Sequence, residues 1–267
     1  MKTFTLDKIV RQENDLTREA VQATIAGEGA RALEALDRGG GRVAELADAG
    51  DRRAAMARDY AAMKPKDRAR ELVLDTTRDG REALTAAIRA ELRKDGTLKG
   101  EGVQAATLES KRLSREEARQ ARSYEAGDVV TFRRDYAAKG IDKGQTYSVG
   151  KVDAGLNRIE LRDREGKAID WQLDKWGRGQ VDSFTEAHRE FAKSDRVQFT
   201  RKDREAGRIN GKIGTVTKID HEARTMTVRE DRDRDHVLQL DSARDRHVRH
   251  GWVATVPAGR ARPPTGR

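Results

Sequence analysis

The sequence predicts a multi-domain α+β protein, with a helical N-terminal part and one strand–helix unit followed by two tandem small β modules. Three observations lead there. One stretch occurs twice, as Gly127–Asp153 and Ser194–Asp220, aligned without a gap at a constant offset of 67 residues. Residues 1–65 carry apolar positions at helical spacing, and residues 70–93 read as strand, polar loop, amphipathic helix.

In the repeat, Asp128, Val130, Phe132, Gly140, Gly144, Lys151 and Asp153 fall on Asp195, Val197, Phe199, Gly207, Gly211, Lys218 and Asp220. The register continues, since Ile159 and Leu161 meet Met226 and Val228, while Trp171 and Leu173 meet Leu238 and Leu240. Each copy opens on an alternating Val-x-Phe strand, passes through a glycine-punctuated loop and returns in short strands. Short strands with glycines at their corners predict a small SH3-like barrel in each copy, over 124–185 and 186–250.

From the N-terminus, Leu16, Ala20, Val21, Ala23 and Ile25 predict a helix that ends at Gly27 and Gly29. Ala30 to Leu36 predicts a second, closed by Gly39-Gly40-Gly41. Val43 to Leu46 reads as a short strand. A helix from an Asp51 N-cap to Met63 is stopped by Pro65. Residues 66–123 then form a unit with a strand at Arg70–Asp75 and a helix at Arg81–Arg93, whose apolar face is Ala83, Leu84, Ala87, Ile88 and Leu92. Strand and helix make half of a βαβ unit, which needs further strands to become a sheet. Residues 97–103 are glycine-rich, and Thr107–Ser123 holds a helix candidate capped by Ser114 with Glu117 at the capping-box position. Glu186–Ala192 reads as a helical turn between the modules, Trp252–Val256 as a strand, and the proline-rich basic remainder of 251–267 as disordered.

The 267 residues are 38% charged and only 36% hydrophobic, a lean apolar supply that disfavours a single large core. A net charge of +9 favours polyanionic partners, nucleic acid first. The absence of cysteine excludes disulfides, thiolate zinc sites and a cysteine nucleophile, and fits a reducing, cytoplasmic setting. No stretch approaches a membrane span. His247-x-x-His250 has a conceivable metal spacing but no accompanying acid in position, so no metal site is expected. No G-x-x-x-x-G-K-[ST] loop occurs, and carboxylates are interspersed with arginines as on solvated faces, so autonomous catalysis is not expected. Nucleic-acid contact has better support: Arg133, Arg134, Arg201, Lys202 and Arg208 follow the first strand of each module, where cations can neutralise phosphates. Trp171 and Trp176 are either base-stacking platforms or core.

Several stretches, in order, resemble the helicase part of the conjugative relaxase–helicases (TraI/TrwC family), superfamily 1 motors related to RecD. Leu6-x-x-Ile9-x-Arg11-Gln12 resembles the family's motif IV, Asp59-Tyr60 with Arg70–Ile88 a segment of its second RecA-like domain, and Gly127-Asp128-Val129-Val130-x-Phe132 its GD-V-x-F strand. Phe199-Thr200-Arg201-Lys202-Asp203 with Asn210-Gly211 is similar to its W-T-R-N-D … NG segment, and His250-Gly251-Trp252-Val253-Ala254-Thr255 to the lead-in to motif V. The resemblance implies that 1–65 and 66–123 are part of a RecA-like α/β domain with Arg11, next to Gln12, facing the γ-phosphate of ATP. It also implies that Thr200 and Asn210 join the module arginines on DNA, and that His250 and Thr255 are a motif V remnant. Arg78 and Thr85 stand where the family has asparagines. Relaxase, Walker A, Walker B and motif VI residues are not found, so the resemblance implies a motor segment cut at both ends.

The expected function is therefore that of a conjugative helicase segment binding single-stranded plasmid DNA, with no cofactor of its own. ATP and magnesium belong to the intact family enzyme. Its missing helicase half or other conjugation proteins are expected partners, and membrane is not. A free-standing tandem adaptor for nucleic acid or protein is the alternative.

Overall fold

Asn14 starts the first helix, α1 (Asp15–Ala26), by accepting from the N–H groups of Leu16 (2.9 Å) and Thr17 (3.2 Å), donors that no helical carbonyl can reach. At its other end Gly27 takes a left-handed backbone (φ 80°) and lets Glu28 N–H close on the Ala23 carbonyl at 2.8 Å. Helix α2 (Gly29–Arg38) packs on α1 through buried Ala20, Ala23, Ala32 and Ala35. The computed structural model describes residues 14–177, 179–230 and 234–255, and the chain divides between Arg53 and Ala54 into two compact units. Arg11 and Gln12 lie outside the described residues, as does the chain from Val256 onward.

Val43–Leu46 is not a strand. Among the described residues no strand pairs with its backbone, and an extended run becomes a strand only where its N–H and C=O groups find a neighbouring strand. Helix α3 (Ala49–Ala62) is started by Asp48, not Asp51: its carboxylate accepts from Gly50 N–H (2.7 Å) and Asp51 N–H (3.0 Å). Pro65, expected only to stop a helix, also opens the short α4 (Pro65–Arg68), where its missing N–H costs nothing.

Strand β1 (Val73–Asp75) leads to α5 (Arg78–Lys94), which Thr77 caps by accepting from Gly80 N–H at 2.9 Å. Leu84, Ile88 and Leu92 are fully buried, each stabilising the unit by about 2 kcal/mol. Ala83, expected on this face, is exposed, and Thr85 is buried instead. Strand β2 (Lys99–Ser110) takes in most of the glycine-rich stretch and the first four residues of the expected Thr107–Ser123 helix. Only single turns at Glu117–Arg119 and Ala121–Ser123 remain of that helix. Its capping box does form, with Ser114 N–H donating to Glu117 at 2.7 Å and Glu117 N–H to Ser114 Oγ at 3.2 Å.

The first module comprises β3 (Val129–Phe132), β4 (Thr146–Asp153), β5 (Arg158–Arg162), β6 (Ala168–Gln172) and the start of β7 (Val181–Lys193). The second comprises β8 (Arg196–Phe199), β9 (Ile213–Asp220), β10 (Thr225–Glu230), β11 (Asp235–Gln239) and β12 (Val248–His250). The expected helical turn at Glu186–Ala192 is instead the continuation of β7, antiparallel to β2 from Ser110↔Phe184 to Val103↔Phe191. Pairing along that length overrides the local helical preference of EAHREFA.

The sequence repeat is a structural repeat. Strand orders are β2-β7-β3-β4-β5-β6 and β11-β10-β9-β8-β12, so each copy has its last strand beside its first. The 67-residue offset carries β4 onto β9 and β6 onto β11 end to end. It carries the bulge of the β4–β5 pair onto that of β9–β10, and the isolated bridge Tyr136↔Ile141 onto Asp203↔Arg208. Both sheets are antiparallel and open, so the closed barrels expected from the sequence are not formed. Val130, Phe132, Leu161 and Trp171 centre one core, and Val197, Phe199, Val228 and Leu238 the other.

Asp128 and Asp195 occupy the same corner of the two copies and are both buried. Asp128 accepts from Glu125 N–H (2.9 Å) and pairs with Lys111, and Asp195 accepts from Ala192 N–H (2.8 Å) and pairs with Arg89. At Asp195 the Arg89 fork is bidentate, at 2.9 Å twice, and Trp252 Nε1–H adds a third side-chain donor at 2.9 Å. Arg89 is on α5. Trp252 leads into β13 (Val253–Thr255), which lies parallel to β1 from Val73↔Val253 to Asp75↔Thr255. Both modules are thus inserted between two parallel neighbours of one small sheet. Tyr60, Val73, Leu84, Ile88, Leu92, Trp252 and Val253 share the core beneath it.

Asp195→Asn keeps the shape of the side chain and leaves Arg89 without its close counter-charge. Glu190, at 3.6 Å, is then the carboxylate left near this partly buried cation, and the loss costs on the order of 3 kcal/mol. Asp128→Asn costs less, because the single flexible ammonium of Lys111 can turn toward water. Urea denaturation of the two variants is expected to rank them in that order.

Candidate nucleic-acid interface

The loop after β8 is shaped by its own side chains. Asp203 Oδ1 accepts from Ala206 N–H (3.0 Å), and Gly207 takes φ 67° to return the chain to the Asp203↔Arg208 bridge. Arg244 grips Asp203 with both arms, one at 2.7 Å, and reaches Glu205 at 3.1 Å. Those Arg244 hydrogen bonds hold the Asp203 carboxyl well below the usual carboxylate range. Arg208 is buried in an ion pair with Asp245 and lies over the Phe199 ring, 5.8 Å from its centroid. The acids of this loop are therefore neutralised from within the module.

Five cations facing the same space are not. Arg201, Lys202 and Arg204 from the second module, with Lys143 and Arg164 from the first, line a cleft of about 570 Å³ between the two copies. None of the five pairs with a carboxylate among the described residues. Arg201 is nevertheless held in place, its guanidinium donating to His247 Nε2 at 3.2 Å. Guanidinium has no acceptor, so His247 accepts through Nε2 and carries its proton on Nδ1. Burial, then the Arg201 charge, pushes the His247 imidazole down to about 4. At neutral pH it orients Arg201 without adding or removing charge.

The other sequence-predicted residues are more dispersed. Arg133 is exposed and tied to Asp182 at 2.5 Å, and Arg134 lies over the Tyr136 ring at 4.8 Å. Thr200 and Asn210 line a separate pocket of about 280 Å³ that also holds Arg78, Arg112 and Arg249. Trp171 is enclosed in the first core, donating to the Trp176 carbonyl at 3.1 Å, and offers no face to a base. Trp176 is half-buried and stacks on Phe132 at 5.5 Å. Arg208, buried and paired, is a structural residue and not a surface contact. His250 is buried against Phe191 with Nε2–H donating to the Glu190 carbonyl at 3.0 Å, so it is not a ligand-facing motif residue, while Thr255 is half-buried on β13.

The repeat contained the signal for two of these. It aligns Trp171 with Leu238 and Arg208 with Ile141, all buried. Lys143, Arg164 and Arg204 were missed because they come from different turns that only the packing of the two copies brings together.

The expected γ-phosphate residues, Arg11 and Gln12, are not among the described residues, and the sequence has no phosphate loop, so ATP has no cradle that can be described here. No group of three His, Cys, Asp or Glu able to hold a metal occurs among the described residues. No helix among them is long and apolar enough to cross a membrane.

The chain matches no protein-family model and no curated protein. Among solved structures it is weakly similar to unliganded Pif1 from Bacteroides sp., with a TM-score of 0.22 and 12% identity over 93% of this chain and 41% of that one. A second is a Pif1 helicase structure on DNA unwinding at forked double-stranded DNA, with a TM-score of 0.16 and 12% identity over 54% of this chain and 36% of that one. The chain thus spans less than half the length of either. Likeness this weak decides nothing about what the chain binds.

His247 and His250 are neutral in the folded protein at pH 7, since burial pushes His250 as well down to about 4. Unfolding releases them to about 6.5, so the unfolded chain binds more protons between these values. Their stabilising contribution is complete above pH 6.5 and is lost as pH falls toward 4, on the order of 3 kcal/mol for each. Urea midpoints measured from pH 7.5 to 4 are expected to fall, and His247→Gln is expected to flatten part of that decline.

Proposed function

We propose that this chain is a DNA-contacting segment of a superfamily 1 helicase of the conjugative relaxase type. It binds single-stranded DNA through the basic cleft between its two repeated β modules and has no ATPase or nicking activity of its own. The observation that carries the reading is the set of five cleft cations without carboxylate partners among the described residues, beside a second-module loop whose Asp203 and Glu205 are engaged internally. Such a surface attracts a polyanion and gains from counterion release. The neutral His247 holding Arg201 adds preorganisation, which lowers the entropic cost of contact.

The conjugative assignment rests on the ordered sequence resemblance. Two of its segments that are far apart in the chain, the one from Asp59 and the one from His250, meet in one core, where Tyr60 and Trp252 rings are 6.1 Å apart. The parallel β1–β13 pair under α5, with both modules between its strands, suits part of a RecA-like domain bearing an insertion. In an intact enzyme, ATP and magnesium would be held with the other RecA-like domain, and plasmid DNA would be the strand moved in the cytoplasm.

Fluorescence anisotropy with a labelled oligothymidylate is expected to show binding on the order of micromolar at low salt that collapses toward physiological salt. Replacing Arg201, Lys202 and Arg204 together by glutamine is expected to weaken it about tenfold or more and to reduce the salt slope by about 3. Unchanged affinity in that variant removes the cleft reading. Salt-tolerant capture of a protein by the same surface favours the adaptor alternative, and steady ATP turnover by the pure chain refutes the absence of ATPase activity.

A further inference from the structure

The two modules differ at one pair of equivalent positions in a way that leaves a charge unmatched. In the first module, Arg133 and Asp182 form an ion pair across β3 and β7. At the 67-residue offset these positions become Thr200 and Arg249, so the cation has become a hydroxyl and the carboxylate a cation. Arg249 is half-buried and finds a neutral partner, with two arms on Gln198 Oε1 at 2.9 and 2.7 Å. The Thr200 Oγ1 atom is buried with no partner among the described residues. Burial and the neighbouring Arg81 charge push Arg249 down to about 10.

The nearby acids are already engaged. Glu82 and Glu109 are each shared by Arg81 and Arg189, at 2.5 to 3.0 Å. Arg78 and Arg112 bring two more exposed cations to the rim of the same 280 Å³ pocket, and Asn210 adds an amide. Arg112 faces it from a left-handed backbone, φ 51°, a conformation that ordinary side chains disfavour. A cavity with three cations beyond those its acids balance, an orphaned hydroxyl and an amide has the donor set of an anion site.

From this geometry we infer that the Arg78, Arg112, Thr200, Asn210 and Arg249 pocket binds a phosphoryl group. The phosphoryl group is either one phosphate of a bound nucleic-acid strand or a free phosphate. The tetrahedral oxygens accept from the Arg249 and Arg112 guanidiniums and from the Thr200 hydroxyl. This site shares no residue with the cleft cations, so it stands whether or not the cleft binds DNA.

The test compares thermal melts in sodium phosphate with melts in sodium chloride of matched ionic strength. Phosphate at about 100 times its Kd is expected to raise the Tm of the full chain on the order of 5 °C. The double variant R78Q/R112Q, altered only at exposed positions, is expected to lose most of that shift. Thr200→Val removes a hydroxyl with no partner, so it is expected to melt no lower than the parent in chloride while responding less to phosphate. The same variants in the oligothymidylate assay separate the two sources. About tenfold weaker DNA binding assigns the pocket to a strand phosphate, and unchanged DNA binding with a lost phosphate response assigns it to a free phosphoryl ligand. An equal phosphate shift in parent and variants, or none in the parent, overturns the site.

Discussion

A single carboxylate, fully enclosed, ties the larger unit together. Asp195 accepts from the Arg89 fork on α5, from the Ala192 backbone at the end of β7, and from the indole of Trp252 at the entry to β13. Burying an ionised carboxylate is tolerable only where charge and hydrogen bonds replace its water, and here four donors do so. The consequence is positional. The helix, the parallel strand pair and the second module are indexed to one atom group, and Val103, Ala105 and Phe191 of β2 and β7 add an apolar contact by joining the second module's core.

The duplication makes the two modules comparable residue by residue, and their differences carry the chemistry. Where the first copy closes its corner with Ile141, the second uses Arg208 paired to Asp245. Where the first balances Arg133 with Asp182, the second has Thr200 and Arg249. The first copy therefore balances Arg133 at this position, the second leaves Arg249 facing the pocket, and both copies contribute cations to the cleft. Alternation that continues past the end of β8 places Phe199 and Arg201 at the cleft and Gln198 and Thr200 at the pocket.

Much of this was legible in the sequence wherever periodicity was strong. The repeat offset predicts the equivalent strands, and helix α5 and the Ser114–Glu117 capping box fall where their residue patterns place them. The failures share a cause. EAHREFA and the glycine-rich stretch before Gln104 lack a strand signal of their own, and each becomes part of a strand through the β2–β7 pairing, EAHREFA chiefly against Val103–Leu108. Within the site, Arg201 and Lys202 were legible as loop cations. Arg208 reads as a surface contact, and Trp171 as either a stacking platform or core, only while residue type is weighed ahead of the repeat, which pairs them with Ile141 and Leu238. The cleft itself was invisible, since Lys143 and Arg164 reach it only through the packing of one copy against the other.

The most direct measurement is photocrosslinking of the full chain to a single-stranded oligonucleotide carrying 4-thiothymidine, with the adducts mapped by mass spectrometry. If the uncompensated cations of the inter-module cleft receive DNA, adducts concentrate on peptides containing Lys143–Thr146, Arg164 and Arg201–Arg204. Adducts confined to the β4–β5 face of the first module, or scattered without preference, contradict the account.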